Sequence, residues 1–232
     1  MKTRFTWKAV IGFVMFLLLQ PVALFIAAGH VNWPMAWAYA GLLVISAVGS
    51  RLLALRNNPD LLAERAQAFE RGRQGNKDWD RLLMGVVGLY GPLIGCIVAG
   101  LDKRWSWSPE IPPVLRWMSL VLLALSYAWA TWAMVANQFF SATVRIQKDR
   151  GHTVVTGGPY RFMRHPGYAG GALSYLVAPV MLGSLWAFIP AVLTVSVLVV
   201  RTALEDKTLQ NELEGYKAYT EKTRYRLLPG VW

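Results

Sequence analysis

Residues 9–50 read AVIGFVMFLLLQPVALFIAAGHVNWPMAWAYAGLLVISAVGS, without one Asp, Glu, Lys or Arg. A helix crosses the hydrocarbon core of a bilayer in about 20 residues. The run therefore holds two crossings, broken at Gly29-His30-Val31-Asn32-Trp33-Pro34. Residues 82–101 and 117–144 are charge-free as well and fit one crossing each. Residues 165–200 make a fourth such run, punctuated by Pro179, Gly183 and Pro190. At about 1.5 Å per residue it is too long for one straight helix across about 30 Å, and short for two full spans. It reads as a tight helical hairpin turning near Gly183-Ser184, with one tilted span as the alternative. The fold class expected is all-α: a polytopic membrane helix bundle of five to six transmembrane segments, the last a short helical hairpin.

Composition and charge agree. The chain has 232 residues, 55% hydrophobic and 16% charged, which excludes an ordinary soluble domain. With the N-terminus in the cytoplasm and the segments alternating, only Lys103, Arg104 and Arg116 of the 24 Lys and Arg residues fall outside. The expected location is an integral, multi-pass membrane protein with both termini cytoplasmic, in the plasma or inner membrane of a prokaryote or the endoplasmic reticulum of a eukaryote. Trp33, Trp37, Trp105, Trp107 and Trp117 fall near the outer surface, where an aromatic belt sits. The net charge of +11 follows from this topology and favours anionic lipid over nucleic acid. Lys2, Arg4 and Lys8 precede the first segment as in a signal peptide, but the apolar run is long for one and no A-x-A site follows, so it reads as an uncleaved anchor. Cys96 is the single cysteine, in an apolar run, and reads as packing.

The polar pieces are few. In 51–81, Asn57-Asn58-Pro59-Asp60 is a helix start, and Leu61, Leu62, Arg65 and Phe69 space like a short interfacial helix; a solvated connector and a substrate gate are both open. Gly91-x-x-x-Gly95 predicts close helix contact. The stretch 201–232 reads as a helix with a stripe of Leu209, Leu213 and Tyr216, then a basic tail whose Lys222, Arg224, Tyr225 and Arg226 suit a headgroup surface. The chain is expected to form one domain over 1–232, with 1–136 as membrane anchor segments and 137–232 as the region that carries chemistry.

Within that region, 151–170 (GHTVVTGGPYRFMRHPGYAG) holds His152 and His165, two of the three histidines. No H-x-x-x-H or H-E-x-x-H pattern is present and no cysteine is near, so no metal is expected. Pro166 keeps His165 out of α geometry and is well placed at a helix start, so His165 should precede the first turn, with Tyr168 one turn in. Free amides at such an N-terminus favour a carboxylate or phosphate. Arg201 and Glu205, four apart on one helix face, follow the last apolar run; an interfacial ion pair and a functional polar cluster at a membrane mouth are equally open.

Several linked motifs carry a resemblance: His152-Thr153-x-Val155-x-x-Gly158-Pro159-Tyr160, Arg164-His165-Pro166-x-Tyr168-x-Gly170, Arg201-x-x-x-Glu205-Asp206-x-x-Leu209 and Gly215-Tyr216-x-x-Tyr219. From Asn137 to Pro229 the chain resembles the isoprenylcysteine carboxyl methyltransferase family and, more loosely, membrane phospholipid N-methyltransferases. Glu205-Asp206 stands where the family usually has Glu-Glu. The resemblance implies a cytoplasm-facing pocket for S-adenosyl-L-methionine. Gln147, His152, Val154, Val155 and Tyr160 would line its adenosine part, and His165, Pro166, Tyr168 and Glu205 its ribose or amino-acid part. It also implies catalytic roles for Arg201 and Glu205, with Arg201 facing the methyl acceptor. The acceptor expected first is the carboxylate of an isoprenylcysteine-like lipophilic or prenylated substrate, drawn from among membrane lipids. A carboxylate is ionised at neutral pH and needs no general base, whereas the amine of a phospholipid would need one from Glu205 or Asp206. Membrane sterol reductases share an Arg-His-Pro-like turn but use NADPH, and a non-enzymatic scaffold is the third reading. Oligomeric state is not legible.

Overall fold

Each charge-free run supplies helix in the computed structural model, which describes residues 7–58 and 77–232, though 137–144 at the end of the third run are not helical. In chain order these are α1 (Trp7–Ala28), α2 (Pro34–Asn57), α3 (Asp78–Gly85), a π-helical turn (Val86–Tyr90), α4 (Gly91–Trp105), α5 (Pro113–Ala136), α6 (Pro166–Leu182), α7 (Phe188–Glu212) and α8 (Tyr216–Lys222). The described residues contain no strand. Five stretches are long and apolar enough to cross a membrane: Ile11–Ala28, Pro34–Asn57, the continuous Trp79–Trp105, Pro113–Ala136 and Phe188–Glu212. The run 165–200 divides unequally. The chain turns at Gly183 (φ +76°) between α6, 17 residues long, and α7, which runs 25 residues to Glu212, past the end of the apolar run. The interfacial helix expected from Leu61, Leu62, Arg65 and Phe69 lies outside the described residues, as do Pro59 and Asp60; Asn57 is the last residue of α2.

Local chemistry sets the ends. Gly29 takes φ +74° and closes α1 by donating its amide to the Phe25 carbonyl at 3.0 Å. Pro34, Pro113 and Pro166 open α2, α5 and α6, where a missing N–H costs nothing. The core gathers Leu24, Trp33, Tyr39, Cys96, Leu123 and Met181.

Two expectations are corrected here. Trp33 is not part of a lipid-facing belt: it is 2% exposed and packs in the core, while Trp37, Trp105, Trp107 and Trp117 do face outward. Of the glycine pair only Gly91 makes a close contact, since a Cβ there would lie on the Thr194 hydroxyl of α7, whereas Gly95 meets nothing within 4 Å. The tight α1–α4 crossing falls instead at Gly100, where a Cβ would sit 2.5 Å from the Leu24 carbonyl oxygen.

Asp102 ties the bundle together at the end of α4 by accepting from the Ser108 amide (2.8 Å) and from the Ser108 and Ser184 hydroxyls (2.5 Å each). The opposite end carries the segment 137–165, the start of α3 and the C-terminal residues.

Candidate active site

After α5 the chain folds over the bundle end with two short 3-10 turns, Lys148–Arg150 and Gly158–Arg161, as its regular structure before α6, and side chains hold it there. Asn137 accepts from the Phe139 amide (2.8 Å) and donates to the Tyr160 hydroxyl (3.1 Å). Gln147, 1% exposed, donates to the Phe139 carbonyl (2.7 Å) and accepts from Arg150 (2.6 Å), while its amide donates to His152 Nδ1 (3.3 Å). The His152 ring lies on Phe139 at 4.4 Å between centroids. Burial, with Arg145 and Arg150 adding to it, lowers the His152 pKa from 6.5 to about 4, so the ring is neutral at physiological pH.

Glu205 and Asp206 are neighbours in sequence, but a helix turns about 100° per residue, so they face different surroundings. Asp206 is fully buried and six polar atoms of five side chains converge on it: Arg164 Nε (2.7 Å) and Nη2 (2.9 Å), His165 Nε2 (3.3 Å), Gln210 Nε2 (2.8 Å), the Tyr216 hydroxyl (3.1 Å) and Arg226 Nε (2.8 Å). Arg164 Nη1 also donates to the carbonyls of Thr223 (2.9 Å) and Arg224 (2.7 Å). The amides of Arg164 and His165 donate to Tyr225 and Arg226 (2.9 Å each). The tail is thus stitched across the Arg164-His165 motif, and Arg226 turns inward to Asp206 rather than out to a headgroup surface. Burial would lower the Arg164 pKa, but hydrogen bonding to Asp206 and its charge raise it.

Glu205 is half-buried. Its Oε2 accepts from the Tyr168 hydroxyl at 2.5 Å, and its other oxygen has no partner among the described residues. Arg201 also donates to that hydroxyl, so Arg201 and Glu205 meet through Tyr168 rather than as a direct ion pair. Arg201 is 4% exposed; its Nε donates to Asp80 (2.7 Å) and its Nη2 to the Ala142 carbonyl (2.9 Å). Asp80, 1% exposed near the start of α3, completes its shell by accepting from the Val144 amide at 2.7 Å.

Between these groups opens a cleft of about 280 Å³. His152, Val154, Val155, Tyr160, His165, Tyr168, Arg201 and Glu205 all line it. Gln147 and Pro166 do not: Gln147 stands behind the wall as the support of Phe139 and His152, and Pro166 is buried at the first turn of α6. Sequence reasoning missed Phe139, and it missed Tyr219, whose hydroxyl donates to the Tyr160 carbonyl at 2.6 Å. Burial raises the Tyr216 pKa and pushes Tyr219 up to about 12, so both stay protonated donors. It also missed Asp80. A signal existed, because a buried arginine just past an apolar run needs a carboxylate, and Asp78 and Asp80 flank the next span at that end. One end of the cleft therefore presents the neutral His152 ring and Phe139, with Arg145 beside them, and the other carries the Glu205 carboxylate.

Five membrane-length helices define an integral multi-pass membrane protein, and the polar, ligand-sized cleft at one end of the bundle is its candidate site. The model of the isoprenylcysteine carboxyl methyltransferase (ICMT) family matches residues 117–211, from within α5 through the cleft loop and α6 into the last turn of α7. The match supports a membrane methyltransferase of the isoprenylcysteine carboxyl methyltransferase kind. No curated protein matches the chain.

Proposed function

We propose that this protein methylates the carboxylate of an isoprenylcysteine-like lipid, with S-adenosyl-L-methionine as methyl donor, in the cleft between the 137–168 segment, α7 and α8. The observation that carries the reading is Glu205: a carboxylate with one oxygen free, lining a cleft whose other end is a neutral ring pair. Such a donor set fits a ligand that joins an aromatic base to cationic groups. When bound, S-adenosyl-L-methionine supplies an electrophilic methyl group on a sulfonium.

The residues divide the work. Phe139, His152, Val154, Val155 and Tyr160 form the face for the adenosine, with Gln147 positioning the first two. His165 and Tyr168, stacked at 5.7 Å, and Glu205 hold the polar end. Arg201 lines the cleft with its charge already met by Asp80, so it orients an anionic acceptor through its remaining N–H groups. A carboxylate acceptor arrives ionised, so the protein's task is alignment and exclusion of water. An amine acceptor is the second reading, favoured by the free Glu205 oxygen; Asp206, saturated by its five partner side chains, is not available as a base. The acceptor's chain has room in a second cavity of about 270 Å³ among the spans, which meets the cleft at Gly88.

The test is ligand binding by the purified protein in mild detergent. S-adenosyl-L-methionine and S-adenosylhomocysteine are expected to raise the unfolding temperature and NADPH to leave it unchanged, with the effect lost in Glu205→Gln. Protection by NADPH alone would move the chain to the reductases.

A further inference from the structure

Among the described residues, Gly88 is the one that lines both the cleft and the cavity among the spans. It stands at the centre of the π-helical turn Val86–Tyr90, and Pro92 accounts for that turn. In a regular α-helix the Pro92 nitrogen would meet the Gly88 carbonyl, but proline has no N–H and its ring crowds the carbonyl four residues back. The chain widens by one residue instead, and the Gly91 amide donates to the Val86 carbonyl, five residues back. The next bond of that kind would run from Pro92 to the Val87 carbonyl and cannot form. The Tyr175 hydroxyl of α6 donates to that carbonyl at 2.5 Å and ties the wide turn to the neighbouring helix. Within the turn Val87 is buried and Gly88 is exposed, and a Cβ on Gly88 would meet nothing within 4 Å. No helix contact requires glycine there, in contrast to Gly91 and Gly100. The missing side chain leaves the junction of the two spaces open.

We propose that the Val86–Tyr90 turn is the passage for the methyl acceptor: its chain lies in the cavity, its carboxylate reaches Arg201 in the cleft, and the bonds between them cross at Gly88. Tyr175 is a positioning residue, which holds the turn in the wide form that presents Gly88 to the junction. The inference rests on the reading that the cleft transfers a methyl group to a lipophilic acceptor. The dimensions suit one apolar chain with a polar end. The cavity follows α6 from Gly171 to Leu182, roughly 16 Å at the rise of a helix. It ends against Leu182 and Ala187, which belong to the buried core, so the chain has its open end at the cleft.

The experiment measures saturable binding of radiolabelled S-farnesyl N-acetylcysteine to the full chain in lipid nanodiscs, with S-adenosylhomocysteine binding and methyl transfer read separately. Gly88→Leu places a side chain in the junction. Its unfolding temperature and S-adenosylhomocysteine affinity should match wild type, while the farnesyl probe binds about tenfold more weakly, the penalty of over-filling a fitted space. Gly88→Ala should weaken the probe less and in the same direction, and it decides the matter if Gly88→Leu does not fold. Gly41→Leu makes the same change on α2, where a Cβ also meets nothing and neither space is lined, and should bind the probe as wild type does. Tyr175→Phe removes the tie and should weaken the probe with the S-adenosylhomocysteine affinity unchanged; a merely structural loss would lower both. Equal probe affinity of wild type and the Gly88 variants, or no saturable binding to wild type, would overturn the proposal. Probe binding that is lost in Gly88→Leu, with no methyl transfer by wild type, would leave the passage standing and defeat the methyltransferase reading. Methyl transfer as fast in Gly88→Leu as in wild type would do the reverse.

Discussion

Glu205 and Asp206 are adjacent carboxylates that the structure gives opposite tasks, and conservative amide substitutions separate them. Asp206→Asn keeps the shape but removes the charge that Arg164, 6% exposed, and Arg226 share. It also offers an NH₂ group to a site filled with donors. Removing one partner of a buried ion pair costs about 3–5 kcal/mol, because the remaining charge stays buried and unmet. Here the loss also loosens the stitching of residues 223–226, since Arg164 holds two of those carbonyls only while Asp206 aligns it. Glu205→Gln keeps an amide oxygen to accept from the Tyr168 hydroxyl and removes only the charge, so it weakens one hydrogen bond of a half-buried group at a cost of about 0.5–1.5 kcal/mol. Equilibrium unfolding in mixed micelles should therefore show a large loss for Asp206→Asn and a small one for Glu205→Gln. Limited proteolysis should cut the tail of Asp206→Asn first. Ligand binding should fall in both, in Glu205→Gln with the tail still protected. Equal stability losses, or an Asp206→Asn protein as stable and as protected as wild type, would refute the division of roles.

Two further expectations follow from the site's electrostatics. Asp80→Asn should cost about 3–5 kcal/mol by stranding Arg201, and pairing it with Arg201→Met should recover much of that; a double-mutant cycle with additive effects would show that the two do not act as a unit. His152 has a folded pKa of about 4 against 6.5 unfolded, so the unfolded chain binds more protons between those values. Its contribution is absent above pH 6.5 and becomes destabilising as the pH falls from 6.5 toward 4. The stability difference between wild type and His152→Phe should be flat above pH 7 and move against wild type below it; a pH-independent difference would mean that the ring is not held neutral.

What the sequence revealed, and what it hid, follows from the range of each signal. The spans were legible because membrane insertion depends on local apolarity alone. The turn His165-Pro166 and the placement of Tyr168 were legible because proline constrains its neighbours directly. Burial direction was not: a tryptophan at the edge of an apolar run reads the same whether it faces lipid, like Trp37, or the core, like Trp33. The same gap explains Gly95, since glycine spacing does not say which face meets another helix. Asp80 was hidden because its partner lies 121 residues away, and an aspartate in a polar loop gives no local hint of burial. The division at residue 136 suffered likewise, for Asp80 reaches the site and Gly88 lines the cleft from the part read as anchor. Gln147 was chosen by resemblance as a lining residue, yet it acts one layer back.

The pairing pattern also explains how a site this rich in charge persists at a membrane boundary. Asp80 meets Arg201, and Asp206 meets Arg164 and Arg226, each through short hydrogen bonds that the low-dielectric surroundings strengthen. Glu205 is the carboxylate of this group with an oxygen left over, and that oxygen lines the cleft. An anion held beside apolar sequence is tolerated when it is half-exposed, and it becomes favourable when a cation arrives. On the proposed reading, S-adenosyl-L-methionine would complete the site's charge balance at the free Glu205 oxygen, and its positive charge, with the N–H groups of Arg201, would then draw in a carboxylate acceptor. The binding order this proposal predicts is therefore donor first and lipid second.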